Sequence, residues 1–301
     1  MGVTQTVNEF LLSKLFDEAQ YYTDHKMWLH AAQVYHRILA DQDGPLELHV
    51  RLAQVYAELG NAAAAERTLL NALGRDRNNI GVLSALALLF FNGKDFEKAR
   101  YYLEQLVPHR LPNAHFLLGS IFSMHNDWIH AERHFRLACE LDPSSTDSFS
   151  RLIEVLLYSR QPEKAIVLLQ EKVEADHDDW KSKYLLGVAY SIGDQWLEAL
   201  NCLSEALSTR PDDVEILCAT AEALLGLHQT SRAREILLHA SVIEPDSTRV
   251  LSLLAKSALL HGDRKRAKQY YLRTLELDAA NLDALEGMRY LLSGSHEHPD
   301  H

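Results

Sequence analysis

The chain has 301 residues, 47% apolar and 24% charged, with 42 acidic against 30 basic side chains and a formal charge of −12. That apolar content supports a continuous core, while the acidic excess excludes a general binder of nucleic acid and makes basic peptide segments the natural partners. No apolar run is long enough to cross a membrane, and Cys139, Cys202 and Cys218, all in predicted helices, suit reduced thiols in a cytoplasm rather than a disulfide frame.

The start, MGVTQTVNEF, lacks the basic region, apolar core and cleavage site of a secretory signal, although Gly2 and Thr6 fit the short N-myristoylation pattern. Residues 1–11 read as a lead-in and cap, with the first helix opening after Thr4 or Thr6 and carrying Phe10, Leu11, Leu15, Ala19 and Tyr22 at helical spacing. Its outer face, with Asn8, Lys14 and Glu18, has no predecessor to pack against.

From there one small residue keeps returning, as Ala31, Ala65, Ala99, Ala131, Ala165, Ala199, Ala233 and Ala267; six of the seven intervals are 34 residues and one is 32. Twelve residues before each stand Ala19, Ala53, Ala87, Gly119, Ile153, Gly187, Ala221 and Ala255, small in seven of eight cases. Bulky groups fill what these leave open, for example Tyr35, Leu69, Phe135 and Leu203 four residues after their alanines. A period near 34 marks stacked helix-turn-helix units, and paired small residues let two antiparallel helices approach closely.

The second helices open at Asn61, Asp95, Asp127 and Asp263, whose side chains accept a free backbone N–H, or at Pro162, whose missing N–H costs nothing in a first turn. Trp28, Phe96, Trp128 and Trp196 recur just after the turn and read as packing wedges between adjacent pairs. At the 32-residue interval Pro108 stops one helix early and Pro112 starts the next. The two residues lost there either set repeats one to three (12–111) at an angle to repeats four to eight (112–281) or merely tighten the turn between them, and a capping helix over 282–293 and a disordered tail over 294–301 follow. Repeat five, with Ile153 at the small position and Lys172 where other repeats have alanine, is expected to pack more loosely. The tail histidines His296, His298 and His301 read as random coil rather than a metal site.

Residues 180–213, WKSKYLLGVAYSIGDQWLEALNCLSEALSTRPDD, carry Leu186, Gly187, Tyr190, Ala199, Ala206 and Pro211 at a spacing that resembles the tetratricopeptide repeat family. Full repeats start near Leu12, Leu46, Ile80, Pro112, Thr146, Trp180, Val214 and Thr248, with a half repeat from Leu282, so the resemblance covers nearly the whole chain. It implies an all-α, right-handed superhelical solenoid of antiparallel helix pairs, the inner face of which holds a partner protein or peptide. It also implies that positions two, five, nine and twelve of each first helix line that groove. In the first four repeats these are Phe16, Gln20, Val50, Gln54, Ser84, Leu88, Phe91, Asn113, Phe116 and Ser120, an apolar set with amide and hydroxyl donors and almost no charge. In the last four they are Asp147, Ser150, Glu154, Lys181, Tyr184, Val188, Glu215, Cys218, Glu222, Arg249, Ser252 and Lys256, an ionic set. Such a groove suits a peptide with an apolar face at one end and charges at the other, unless the ionic residues pair among themselves. The Lys/Asn clamp for chaperone tails that some family members use is absent from positions five and nine. So is an asparagine ladder at position six, where Asp17, Arg51, Ala85, Leu117, Arg151, Leu185, Ala219 and Leu253 stand.

No phosphate-cradling glycine loop, GxSxG or HExxH occurs. His130 and His134 lie four apart on one helix, but a zinc site needs further ligands and His125 is not on their face, so they read as surface histidines. The basic cluster of Arg264, Lys265, Arg266, Lys268 and Arg273 reads as a solvated helix face. The expectation is a cytoplasmic, non-enzymatic adaptor without cofactor or metal. The alternatives are a self-associating homo-oligomeric scaffold, or a regulatory or chaperone subunit of a larger enzyme or secretion complex.

Overall fold

The computed structural model describes residues 2–39 and 44–293, with side chains from Leu12 onward. The tail and its histidines, and the side chains of Asn8, Phe10 and Leu11, lie outside the described residues. Among those described, 17 α-helices and one 3-10 turn occur, and no strand. The helices pair in sequence: α1 (Gly2–Asp24) with α2 (Trp28–Ile38), α3 (Leu46–Glu58) with α4 (Ala62–Arg75), α5 (Ile80–Asn92) with α6 (Phe96–Leu106), and α7 (Pro112–Met124) with α8 (Trp128–Leu141). Then follow α9 (Thr146–Tyr158) and α10 (Pro162–Ala175), α11 (Trp180–Ile192) and α12 (Trp196–Thr209), and α13 (Val214–Gly226) and α14 (Thr230–Ile243). The last are α15 (Thr248–Leu260) and α16 (Arg264–Leu277), and the single α17 (Leu282–Ser293). Seven repeat starts and α17 begin at the residues the period marks, whereas α1 begins at Gly2, ahead of Thr4. The chain divides inside α9 into two compact units, residues 1–155 and 156–301, each a solenoid stack of antiparallel helix pairs.

Small side chains set the distance within a pair. All eight recurring alanines are fully buried, and their bulky neighbours one turn on, from Tyr35 to Tyr271, are buried with them. A Cβ on Gly119 would lie 3.0 Å from the Phe135 ring, and one on Gly187 would lie 2.5 Å from Leu203 Cγ. The two helices are thus in contact through the glycine backbone itself, closer than any larger residue permits. In repeat five, where looser packing is expected, Ile153, Leu156, Ala165 and Leu169 are all fully buried, so the bulk of Ile153 opens nothing to solvent.

One turn joins every pair. Five residues before each recurring alanine the backbone is left-handed, at Lys26, Gly60, Lys94, Asn126, Arg160, Asp194, His228 and Gly262. The next residue donates its N–H to the carbonyl five positions back, at 2.8–2.9 Å, as in Asp95 N to Phe90 O and Gln195 N to Tyr190 O. This is the Schellman closure of the first helix, and its last residue is already the N-cap of the second. Asn61, Asp95, Asp127 and Asp263 accept the N–H three residues on, as their identity dictates. First helices are capped in the same way by Asn79, Ser145, Asp179, Asp213 and Asn281.

Between repeats, aromatic wedges meet the next first helix. The Trp196 ring lies against Gly226, where a Cβ would be 2.3 Å away, and Phe96 stands edge-on to Phe91 and His125. Pro108 acts as expected: α6 ends at Leu106, the turn Val107–His109 follows, Arg110 is left-handed at φ 51°, and Pro112 occupies the first turn of α7.

Two opposite outcomes test this account in urea unfolding. Lys94→Gly or Arg160→Gly removes a left-handed side-chain penalty and is expected to stabilise by about 1 kcal/mol. Gly187→Val forces a branched side chain into Leu203 and is expected to cost about 1–3 kcal/mol; a neutral result there would mean the pair is not close-packed.

Candidate functional site

In the first unit, α5 sets Ile80, Ser84 and Leu88 on one face by their spacing of four, and α7 brings Asn113 and Phe116 opposite. These residues meet in an open cleft of about 600 Å³ floored by Leu103, Leu106 and Leu117, with Asp142 at its edge. The Phe116 ring is held edge-on to Phe135 at 5.7 Å. Ser120 Oγ donates to the Phe116 carbonyl at 2.9 Å, so that hydroxyl is spent on its own helix. Gln54 and Leu88 border a second cleft of about 350 Å³, and Phe16 lies in a third of about 450 Å³ with Leu12, Ile38 and Leu48. Val50 is half-buried against the core beneath.

One participant escapes the repeat-position reading. Arg51, at position six, donates from Nη1 to Gln20 Oε1 at 2.8 Å and from Nη2 to Glu47 Oε1 at 2.9 Å. Its guanidinium also lies 4.9 Å over the Phe16 ring. The face expected to be nearly uncharged therefore carries a cation, held from the following repeat. The signal is present in the sequence: position six of one repeat reaches position nine of the one before, so its charge matters as well as whether it is asparagine.

In the second unit the structure brings Tyr184, Glu222 and Arg249 together, with Glu215 and Cys218. Arg249 donates from Nη1 to Glu215 Oε2 and from Nη2 to Glu222 Oε1, the latter at 3.3 Å. Burial works against the Arg249 charge, but the carboxylates of Glu222 and Glu215 outweigh it and hold the group charged above its ordinary range. Burial also raises Tyr184 and pushes the Cys218 thiol up to about 12, which leaves that cysteine unreactive. In the first unit Glu154 accepts from Arg151 at 2.8 Å. The ionic positions thus include pairs already made. Lys181 and Asp147 are exposed, and Lys256 joins Glu222 and Val188 around a cleft of about 470 Å³ walled by Trp196 and Gly226.

His130 and His134 do not act together. His130 Nδ1 bonds to Asp127 at 2.8 Å, while His134 Nδ1 lies 3.0 Å from His115 Nδ1, with the Phe122 ring stacked on both His130 and His134. No cluster of three or more His, Cys, Asp or Glu arranged for a metal occurs among the described residues. Burial, then the neighbouring His115, lowers His134 to about 4, and burial also lowers His115. Both are neutral in the fold and take up protons on unfolding below about pH 6.5, the ordinary histidine value. Their contribution to stability is therefore complete above that pH and is lost as pH falls toward 4. Melting temperatures at pH 7.5, 6 and 5 should show this decline, and His134→Phe should flatten it; equal slopes for the two proteins would refute the assignment.

Two models of the tetratricopeptide repeat match the chain, over residues 50–115 and 194–257. BBSome complex member BBS4 of Bos taurus is 25% identical over 201 residues, which cover 65% of this chain and 38% of that protein. Among solved structures, a thermophilic TPR protein of Thermus thermophilus aligns with a TM-score of 0.54 at 18% identity, covering 61% of this chain and all (100%) of its own. Yeast Tom70 aligns at 0.53 and 15% identity, covering 90% of this chain and 59% of its own. These likenesses are of fold, and they agree with the repeat spacing, the buried alanines and the shared turn. The chain belongs to the tetratricopeptide repeat family.

Proposed function

We propose that the chain is a non-enzymatic adaptor that holds a segment of another protein against the inner positions of its first helices. Tetratricopeptide repeats are in general non-enzymatic protein-interaction modules, which supports the broad class. The observation that carries the finer reading is the cleft of about 600 Å³ where Ser84, Leu88, Asn113 and Phe116 from two successive repeats converge and which the chain's own side chains leave open. Gln54, Phe16 and Lys256 border further openings of the same kind. The relative BBS4 is by name a member of a complex, which suits a component that works by contact with other chains. The three free thiols suit a cytoplasmic setting.

A second reading, self-association, has its own observation: Leu29, Ile129 and Leu197 hold the same repeat position on second helices and are 66%, 81% and 63% exposed. Light scattering over a range of concentrations decides it, since a strict monomer removes it.

Affinity capture tests the adaptor reading. Gln54→Lys, Leu88→Glu and Lys256→Glu on first helices should each lose captured partners, while Leu70→Glu and Leu272→Glu on second helices should keep them. The reverse pattern would move the binding surface off the inner positions.

A further inference from the structure

We propose that the cleft between α5 and α7 is an anchor pocket for one bulky apolar side chain of a partner polypeptide, flanked in that partner by a lysine or arginine that meets Asp142. This rests on the adaptor reading and narrows it to one place and one kind of ligand.

The cleft stands at the break in period. In the first unit α3 packs directly on α5, whereas α5 and α7, like α1 and α3, make no comparable contact, and the cleft lies between α5 and α7. This joint is the one with the 32-residue interval, where α6 has 11 residues against 14 in α4 and α8, and Val107–His109 with left-handed Arg110 leads into α7. At four of the regular joints an Asp three residues before an Asn, Ser or Asp cap ends one helix and starts the next, as in Asp76 with Asn79 and Asp176 with Asp179. Here Leu111 stands at the cap without a side-chain bond.

The lining sets the chemistry. Ile80 and Leu88 are 39% and 46% exposed at the rim, Phe116 forms a wall, and Leu103 and Leu106 are buried in the floor. Water against that apolar surface is displaced favourably by an aromatic or branched aliphatic group. Asp142 is the only ionisable residue of the lining, and it is the C-cap of α8, so its charge adds to the negative end of that helix. Its two hydrogen bonds, from Ser144 N and Ser144 Oγ, both fall on Oδ1. A cation is the complement of that edge, and the chain's charge of −12 favours a basic segment throughout.

The test is to pan a displayed library of random peptides against the full chain and to measure synthetic copies of the enriched peptides by fluorescence anisotropy. Enriched peptides should pair a large apolar residue with an adjacent Lys or Arg. Asn113→Trp, which fills the cleft from its exposed rim, should weaken them by about tenfold. Asp142→Asn should weaken them by about threefold and abolish the preference for lysine over norleucine beside the anchor. Each variant is checked against the parent's melting temperature, with Ser84→Trp as a second way into the cleft if Asn113→Trp fails to fold. Peptides that bind Asn113→Trp as tightly as the parent would overturn the pocket and leave the adaptor reading standing, whereas a library with no binders counts against both. Enrichment of acidic peptides would overturn the Asp142 assignment. Self-association of the parent that Asn113→Trp disperses would put a second copy in the cleft and overturn the proposal.

Discussion

Close approach of paired helices through small residues is the constraint on which the rest depends. Ala31 and its seven successors are buried without remainder, and at Gly119 and Gly187 the partner side chain rests on the backbone. A helix pair built this way has a hydrophobic face too large to bury alone, so it must stack on its neighbours. The turn obeys the same constraint. Three residues joining helices so close need a left-handed step, and the chain takes it even with Lys94 and Arg160, whose side chains disfavour it. Packing along both helices outweighs a local cost of about 1 kcal/mol per turn.

Stacking also decides which polar groups remain available. Arg249 lies 34 residues after Glu215, and so at the same height on the next repeat, where the two charges meet. Arg51 reaches back 31 residues to Gln20 by the same logic. Such pairs specify register between repeats more than they add stability, because they are partly exposed and screened. They also take up charges that the first helices would otherwise present to solvent. In the second unit Arg249, Glu215 and Glu222 offset one another, while in the first unit the first helices border apolar clefts. The joint after Pro108 is where the stack departs from its rule and where the largest of these clefts opens.

Much of this was legible beforehand, for identifiable reasons. A 34-residue beat of alanines, caps at Asn61, Asp95, Asp127 and Asp263, and Pro108 with Pro112 are local statements, each enforced by the backbone around it, and the helices begin and end where those residues place them. The left-handed turn was hidden because only Gly60, Gly262, Asn126 and Asp194 suit it, while Lys26, Lys94, Arg160 and His228 carry side chains that give no such signal. The caps of the first helices, such as Asn79 and Asp213, are equally local signals that stand in the shadow of the stronger alanine period.

The sequence by itself determined the period, the helix pairs and their close contact, because each depends on residue type at fixed spacing along one helix or across one turn. Only the tertiary structure decided which of those residues touch. Whether Arg249 finds Glu222, whether His134 turns to His115 instead of His130, and whether Ser84, Leu88, Asn113 and Phe116 enclose a space all depend on the offset between one repeat and the next. That offset is set by the summed packing of many side chains at each joint, and no short stretch of sequence encodes it.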